Sequence, residues 1–341
     1  MSDRVSIVIP AHNQLDYCRQ CVSSLLENTD WPHTLILVDN GSTDGVGDFF
    51  DAIPGAVVVH SAKNLGFAAG VNLGLRHAED HILLLNSDTI VPRQWLSRLL
   101  AVLLDDPSRG AVGPVSNYVS GIQQIETPPL TSTDEINRLS DGLYARKGTS
   151  VRATQRLVGF CMLVRDEVFQ RIGPLDERFG IGNCEDDDYC FRILRDGYRC
   201  CVAEGCFVFH YGNRTFQSLG VIDESFSKLC DENRTMLGEK WTEEELRPVS
   251  ESIALAAMEA NDAGDFAEGV RLMKEAISLG PRVARNYAAL GEMLWQNAAR
   301  EKALVYFRKA ASLAPGDGAL RKRAMDAAMQ LGVSVQDGAD T

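Results

Sequence analysis

The sequence predicts an α/β fold in its N-terminal part and an all-helical module in its C-terminal part, on three observations. Up to about residue 215, short runs of β-branched and other apolar residues alternate with segments whose apolar residues recur at helical spacing. Polar signatures stand where those apolar runs end, which in open α/β sheets is the edge that binds ligands. From about residue 249 the strand signal stops and a 34-residue period takes over.

The first apolar run, 5–9, ends at Pro10, and residues 15–26 follow at helical spacing. A second strand is predicted at 34–38, closed by the sharp turn Asp39-Asn40-Gly41-Ser42. A third is predicted at 57–60, then a small-residue helix over 66–75. His81–Leu85 reads as a buried strand ending in Asn86-Ser87-Asp88, after which Pro92 suits the first turn of a helix. Segments 157–164 and 201–210 read as further strands. Residues 116–150 are polar, weakly periodic and rich in turn formers, so a variable acceptor-side loop or lid is expected there.

In the helical part, Gly269, Met273, Ala276 and Pro281 recur as Ala303, Phe307, Ala310 and Pro315. Tyr287, Leu290 and Gly291 fill the intervening helix. Small residues at fixed points let paired helices approach, and the bulky one fills the groove between them. The expected division is a first domain over 1–248, repeats with a capping helix over 249–331, and a disordered tail over 332–341.

Composition sets limits on function. At 341 residues, 45% hydrophobic and 24% charged, the chain is ordinary globular protein. Its net charge is −13. Residues 249–341 carry 11 basic and 12 acidic side chains, so residues 1–248 hold −12 of that charge. Such a body repels a nucleic-acid backbone, and it accepts a nucleotide diphosphate only with a cation to neutralise the contact. No apolar run is long enough to span a bilayer, and the N-terminus lacks the basic lead and cleavage site of an export signal. The expectation is a cytoplasmic protein, or one peripheral at the inner face of the membrane. Nine cysteines, an odd and irregularly spaced set, read as buried thiols.

Five segments carry chemistry. Pro10 and Asn13 follow the first run and Asp39 the second; a carboxylate and an amide at neighbouring strand ends can read a nucleobase edge. Taken separately, Asn13 reads better as a helix N-cap and Asp39-Asn40-Gly41 as a turn. In the segment from Asn64 through Gly66 and Gly70 to Asn72, the glycines permit close backbone approach to a donor. Close helix–sheet packing explains them equally well. Asn86-Ser87-Asp88 places a carboxylate at a strand end, where it can hold Mg²⁺ or Mn²⁺ with positions open to diphosphate oxygens, although a turn ahead of the helix near Pro92 also accounts for Asp88. Cys184-Glu185-Asp186-Asp187-Asp188 opens a helix, and its acids exceed what the helix dipole and cap require. An attacking hydroxyl must lose a proton, so one of these carboxylates suits a general base. At helical spacing Glu185 and Asp188 share a face. Finally, His210 leads a glycine turn and an arginine, which suits contact with a metal or a diphosphate.

In this order the five segments resemble the family 2 inverting glycosyltransferases of the GT-A fold, over about residues 4–216, most strongly the bacterial rhamnosyltransferase-like members. The resemblance implies an α/β nucleotide-sugar-binding domain with a mostly parallel sheet. It places Asp39 and Asn13 on the base or ribose of a nucleotide-diphosphate sugar, with Pro10, Asn64, Gly66, Asn72, Asn86 and Ser87 in the donor site. Asn86-Ser87-Asp88 matches the family's D-x-D position with Asp88 on the metal, and Asn86 departs from the aspartate found there. Glu185-Asp186 matches the catalytic Glu-Asp pair, with Asp186 favoured as base, and His210 matches a position that touches the metal or diphosphate. The C-terminal period resembles tetratricopeptide repeats.

The implied activity is transfer of a hexosyl or deoxyhexosyl group, with inversion, to a hydroxyl of a glycan, lipid-linked or protein acceptor in surface-polysaccharide synthesis or protein glycosylation. A protein partner on the repeats is also implied. The competing class is an inactive sugar-nucleotide-binding body used as a repeat scaffold. A nucleotidyltransferase would want a basic glycine-rich loop after the first strand, where Ala11-His12-Asn13-Gln14 stands.

Overall fold

A computed structural model of the chain describes residues 4–212 and 223–333. It divides into two compact units, Met1–Lys240 and Trp241–Thr341.

The first unit is built on an eight-stranded sheet in the order β3-β2-β1-β4-β8-β6-β9-β7. Its strands are β1 (Val5–Ala11), β2 (His33–Asn40), β3 (Val57–Ser61), β4 (His81–Leu85), β6 (Arg109–Val115), β7 (Val151–Thr154), β8 (Cys161–Val164) and β9 (Arg199–Phe207). β3, β2, β1 and β4 run parallel, as do β6 and β9, while β8 and β7 are antiparallel to their neighbours. β1 and β4 are buried along their whole length, as strands covered on both faces must be. On one face, Ile7 and Ile9 of β1 join a core with Leu25 of α1 (Leu15–Asn28) and with Trp95 and Leu99 of α4 (Trp95–Asp105). On the other face α3 (Phe67–Leu75) packs on β1 and β2, and Gly74 lets it come down onto Val8 and Val38.

Three expectations are corrected. Within the predicted loop 116–150, residues Thr133–Lys147 form a helix, α5, that packs on β9. Ser132 caps it by accepting the N–H of Glu135, acids fill its first turn and bases its last, and Ile136 and Leu143 are buried. In 157–164 only Cys161–Val164 is strand, because side chains take the preceding amides. Leu157 N–H meets Cys190 Sγ, Val158 N–H donates to Gln123 and Gly159 N–H donates to Asp186. The helix expected to open at Pro92 begins at Trp95.

A separate two-stranded ribbon pairs β5 (Thr89–Ile90) with β10 (Phe209–His210), antiparallel, with His210 opposite Thr89. The remaining helices of this unit are α2 (Val46–Asp51), α6 (Asp166–Ile172), α7 (Glu185–Arg195) and α8 (Asp223–Lys240).

The second unit is helical: α9 (Glu243–Asp262), α10 (Phe266–Leu279), α11 (Ala284–Gln296), α12 (Arg300–Leu313) and α13 (Gly318–Gln330), each packed on the next. The units part at Lys240, eight residues before the expected 248. Thr242 and Glu245 form a capping box that starts α9 upstream of Pro248, and the proline is carried inside the helix. The repeated positions Gly269, Met273, Ala276, Ala303, Phe307 and Ala310 are all buried. Gly291 lies against the Phe307 ring, with no room for a Cβ. The expected tail lies mostly outside the described residues, as do 213–215 of the segment that follows His210.

Candidate functional site

The parallel strands set where the polar residues gather. Ala11 pairs in register with Asp39, and Val8 with Leu84, so the loops after β1, β2 and β4 leave the sheet at one rim. β8 runs the other way and brings in the chain just before it, with Cys161 opposite Leu85. A cavity of about 620 Å³ opens at this rim. Its wall includes Pro10, Asn64, Gly66, Asn86, Ser87, Asp88, Glu185, Asp186 and His210.

Asp88 and His210 meet because β5 pairs with β10. Tyr211 N–H donates to the Asp88 carbonyl, and His210 Nε2 lies 3.1 Å from Asp88 Oδ1. The other ring nitrogen, Nδ1, is 2.8 Å from the Tyr118 carbonyl, and the ring stacks on Phe160. A carbonyl only accepts, so Nδ1 carries the proton and Nε2 turns its remaining position towards the carboxylate. Two acceptors at that separation need a second proton or a cation between them. A histidine held by a backbone carbonyl at its other nitrogen is the usual geometry of a metal ligand.

Asn86 Oδ1 is buried without a hydrogen-bond partner, a further oxygen that costs free energy unless something binds it. One carboxylate, one amide oxygen and one imidazole fit Mg²⁺ or Mn²⁺, which keep positions for substrate oxygens. Among the described residues no cluster of three His, Cys, Asp or Glu side chains forms a metal cage. The fit therefore depends on the Asn86 oxygen and on substrate.

The second motif joins the first through the loop before β8. Asn86 N–H donates to Phe160 O at 2.8 Å, and Gly159 N–H donates to Asp186 Oδ2 at 3.0 Å. Asp186 Oδ1 accepts the N–H of Asp187 at 2.9 Å. Ahead of the acids, Asn183 and Cys184 take φ of 84° and 74°, left-handed values that cost a non-glycine residue free energy. This backbone turns Glu185 and Asp186 together towards the cavity.

Glu185 Oε2 has no hydrogen-bond partner, and burial together with Asp186 and Asp187 pushes Glu185 up to about 8. Burial and Asp186 push Asp187 up to about 7, against the pull of Arg156, whose Nε is 2.6 Å away. Asp188 is fully buried and ion-paired to Arg192 and Lys240, and unlike Glu185 it is not part of the cavity wall.

Three expected donor residues are engaged elsewhere. Asn13 ties the β1 loop to the β2 loop: its N–H donates to Ser42 Oγ and its Oδ1 accepts the N–H of Thr43. Asp39 accepts the N–H of Ser42 and lies 3.3 Å from His60. Asn72 clasps Leu175, accepting its N–H and donating to its carbonyl. Gly66 serves close packing as well as the cavity, since a Cβ there would strike the Gly180 carbonyl.

Asn40, which the sequence reading passed over beside Asp39, does line the cavity. It donates to Asn64 and to Gly66 O, and accepts the N–H of Leu65. Strand alternation would have pointed it away from Asp39. Arg156 on the β7–β8 connection, and Phe226, Cys230 and Arg234 on α8, complete the wall without any motif to announce them. All nine cysteines are buried free thiols, and burial raises Cys18 and Cys21 far from reactivity.

Residues 6–173 match the family model described as Glycosyl transferase family 2. The chain carries a family 2 glycosyltransferase domain. Glycosyltransferase GlyG of Streptococcus pneumoniae is 31% identical to it over 123 residues, covering 35% of this chain and 41% of that protein. N-acetylglucosaminyl-diphospho-decaprenol L-rhamnosyltransferase of Mycobacterium tuberculosis is 26% identical over 246 residues, covering 62% of this chain and 77% of that protein. The chain thus spans less than half of the first relative's length and most of the second's. Among solved structures, a mannosyltransferase of Pyrobaculum calidifontis in complex with GDP-mannose and Mn²⁺ aligns with a TM-score of 0.48 and 19% identity, over 98% of this chain and 86% of that one. The glycosyltransferase match includes Asn86-Ser87-Asp88 and stops before Glu185, Asp186 and His210.

Proposed function

We propose that the first unit transfers a sugar from a nucleotide-diphosphate donor to an acceptor hydroxyl, with inversion at the anomeric carbon. The observation that carries this reading is the convergence of the Asp88–His210 pair and Asp186 on one cavity, in a chain whose residues 6–173 match the family 2 glycosyltransferases. The acceptor oxygen attacks the anomeric carbon as the bond to the diphosphate oxygen breaks, and Asp186 takes the hydroxyl proton. Both Asp186 oxygens accept backbone N–H groups, which hold the carboxylate in a fixed orientation for that transfer.

Asp88, His210 and Asn86 Oδ1 are the residues to hold Mg²⁺ or Mn²⁺, whose chemistry there is neutralisation of the leaving diphosphate. Pro10, Asn40, Asn64, Gly66 and Ser87 shape the donor pocket. Asn13, Asp39 and Asn72 support it by fixing the loops behind it. The name of the mycobacterial relative suggests a deoxyhexosyl donor and a lipid-linked sugar acceptor for this chain as well.

The helical unit reads as tetratricopeptide-type repeats that recruit a protein partner, supported by the buried small and bulky residues at matched positions. An inactive scaffold would have no use for a buried carboxylate oxygen left without a partner at Glu185, beside the cavity. The test is a panel of nucleotide-diphosphate sugars with Mn²⁺, reading release of nucleoside diphosphate with and without sugar acceptors. No release from any donor would sink the transferase reading.

A further inference from the structure

The helix α8 lies beyond the matched family segment, yet it is fastened to the loop that aims the catalytic acids. Asn233, buried on α8, points its amide at three carbonyls of that loop: Phe179 at 3.0 Å, Gly182 at 2.9 Å and Asn183 at 2.9 Å. The loop needs holding. Gly180, Gly182, Asn183 and Cys184 in turn take positive φ, a conformation the two non-glycine residues avoid when free to do so. Its carbonyls are left without a strand ladder, and two N–H groups of one side chain serve three of them.

One helical turn earlier, Cys230 receives Asn183 Nδ2. At the end of the helix, Lys240 Nζ pairs with Asp188 on α7 and with Asp176, each at 2.6 Å. α8 therefore grips the turn before Glu185 from one side and α7 itself from another.

We infer that Asn233 clamps the 179–183 loop and thereby positions Glu185 and Asp186 for transfer. The inference rests on the glycosyltransferase reading for its catalytic half, and on geometry alone for its clamp half. Asn233 touches no reacting atom; it acts through the backbone that aims the carboxylates. Replacing the amide by a carboxylate of the same shape sets an anion against three carbonyl oxygens, so the loop must open.

The experiment compares the full chain with Asn233→Asp, Asn233→Ala and, as a control on the exposed face of α8, Glu232→Ala. Two readings are taken: amide hydrogen exchange of residues 179–188 without substrate, and kcat and KM for donor and acceptor. Asn233→Asp is expected to speed exchange in that segment by about tenfold or more. It should lower kcat by a similar factor while donor KM moves less than about threefold. Glu232→Ala should change neither reading. If Asn233→Asp does not fold, Asn233→Ala, which removes the donors without adding charge, takes its place.

Unchanged exchange in the folded variant overturns the clamp. Faster exchange with unchanged kcat, or donor KM rising in step with the loss of kcat, overturns the positioning role. A wild-type chain that transfers no sugar sinks the transferase reading instead, and the exchange comparison then decides the clamp by itself.

Discussion

His210 Nε2 stands 3.1 Å from Asp88 Oδ1, although 122 positions separate the two residues in the chain. The β5–β10 ribbon makes the meeting, and the Tyr118 carbonyl at Nδ1 decides which nitrogen faces the carboxylate. If that pair holds a cation with the Asn86 oxygen, Asp88→Ala should weaken Mn²⁺-dependent binding of the donor by about tenfold or more. Binding measured without metal should change little. Calorimetry with and without Mn²⁺ makes the comparison, and equal affinities in the presence of Mn²⁺ would remove the metal from this position.

Asp186→Asn should separate catalysis from binding. A base acts only as the proton leaves, so turnover should fall by about 10²–10⁴-fold with donor affinity almost unchanged. The variant carries a second cost. Both oxygens of Asp186 accept backbone N–H groups, from Gly159 and Asp187, and an amide must turn its NH₂ towards one of them. Loss of that bond should lower stability by roughly 1–3 kcal/mol. Steady-state kinetics beside a urea titration checks both, and undiminished turnover would dismiss Asp186 as base.

Glu185 gives a pH signature. Its carboxyl is raised to about 8 in the fold from an ordinary value of 4.5, and Asp187 to about 7 from 3.8. Between the ordinary and the raised values the folded chain binds more protons than the unfolded one, so stability declines as pH rises through that window. The contribution is complete at acid pH and gone once pH passes the raised values. Glu185→Gln keeps the shape and removes one titration. Its urea midpoint should gain on wild type as pH rises, least at about pH 5 and most at about pH 8.5. A constant difference across that range would contradict the assignment.

Two glycines should respond in opposite directions. Gly66 sits at φ 89°, and an added Cβ would strike the Gly180 carbonyl, which belongs to the loop before the acids. Gly66→Ala should cost several kcal/mol, of the order expected for overpacking at a strained backbone. Gly142 lies within α5, where a Cβ meets only the end of the Arg146 side chain at 3.5 Å. Gly142→Ala should raise stability by about 0.5–1 kcal/mol. Thermal melts of the two variants test the contrast.

What the sequence disclosed follows from which signals survive in side chains alone. β1 and β4 were legible because they are buried on both faces and read as unbroken apolar runs. β6 was not. It sits between β8 and β9 yet contains Gly110, Gly113 and Pro114, residues that argue against an interior strand. Its ladder tolerates them because the register shifts after Pro114, and because Tyr198 and Gln123 fill the space beside the two glycines.

α5 was hidden for a different reason: part of its buried face is polar. Asn137 accepts the N–H of Arg93 and Ser140 receives Arg98, contacts invisible to an apolar period. Of the residues singled out by chemical type, Asp88, Asp186 and His210 line the cavity, while the difference between Asp39 and Asn40 depended on which way one strand end turned. α8 carries its role in Asn233, and a single amide in a polar helix announces nothing.

Phe307 tests the helical unit. Its side chain is buried, lies against Gly291 and contacts Trp295 with ring centroids 6.2 Å apart. The close approach of α11 and α12 depends on a bulky residue facing a glycine, so each half of the pair can be altered. Phe307→Ala leaves a void and should cost about 3–5 kcal/mol. Gly291→Val leaves the ring in place and forces the helices apart, at about 1–3 kcal/mol or more. If the pairing is what joins these helices, the double variant Phe307→Ala with Gly291→Val should be more stable than the sum of the single losses implies, because the new side chain enters the void. Urea unfolding of the four chains closes the cycle, and strictly additive losses would show that ring and glycine do not depend on one another.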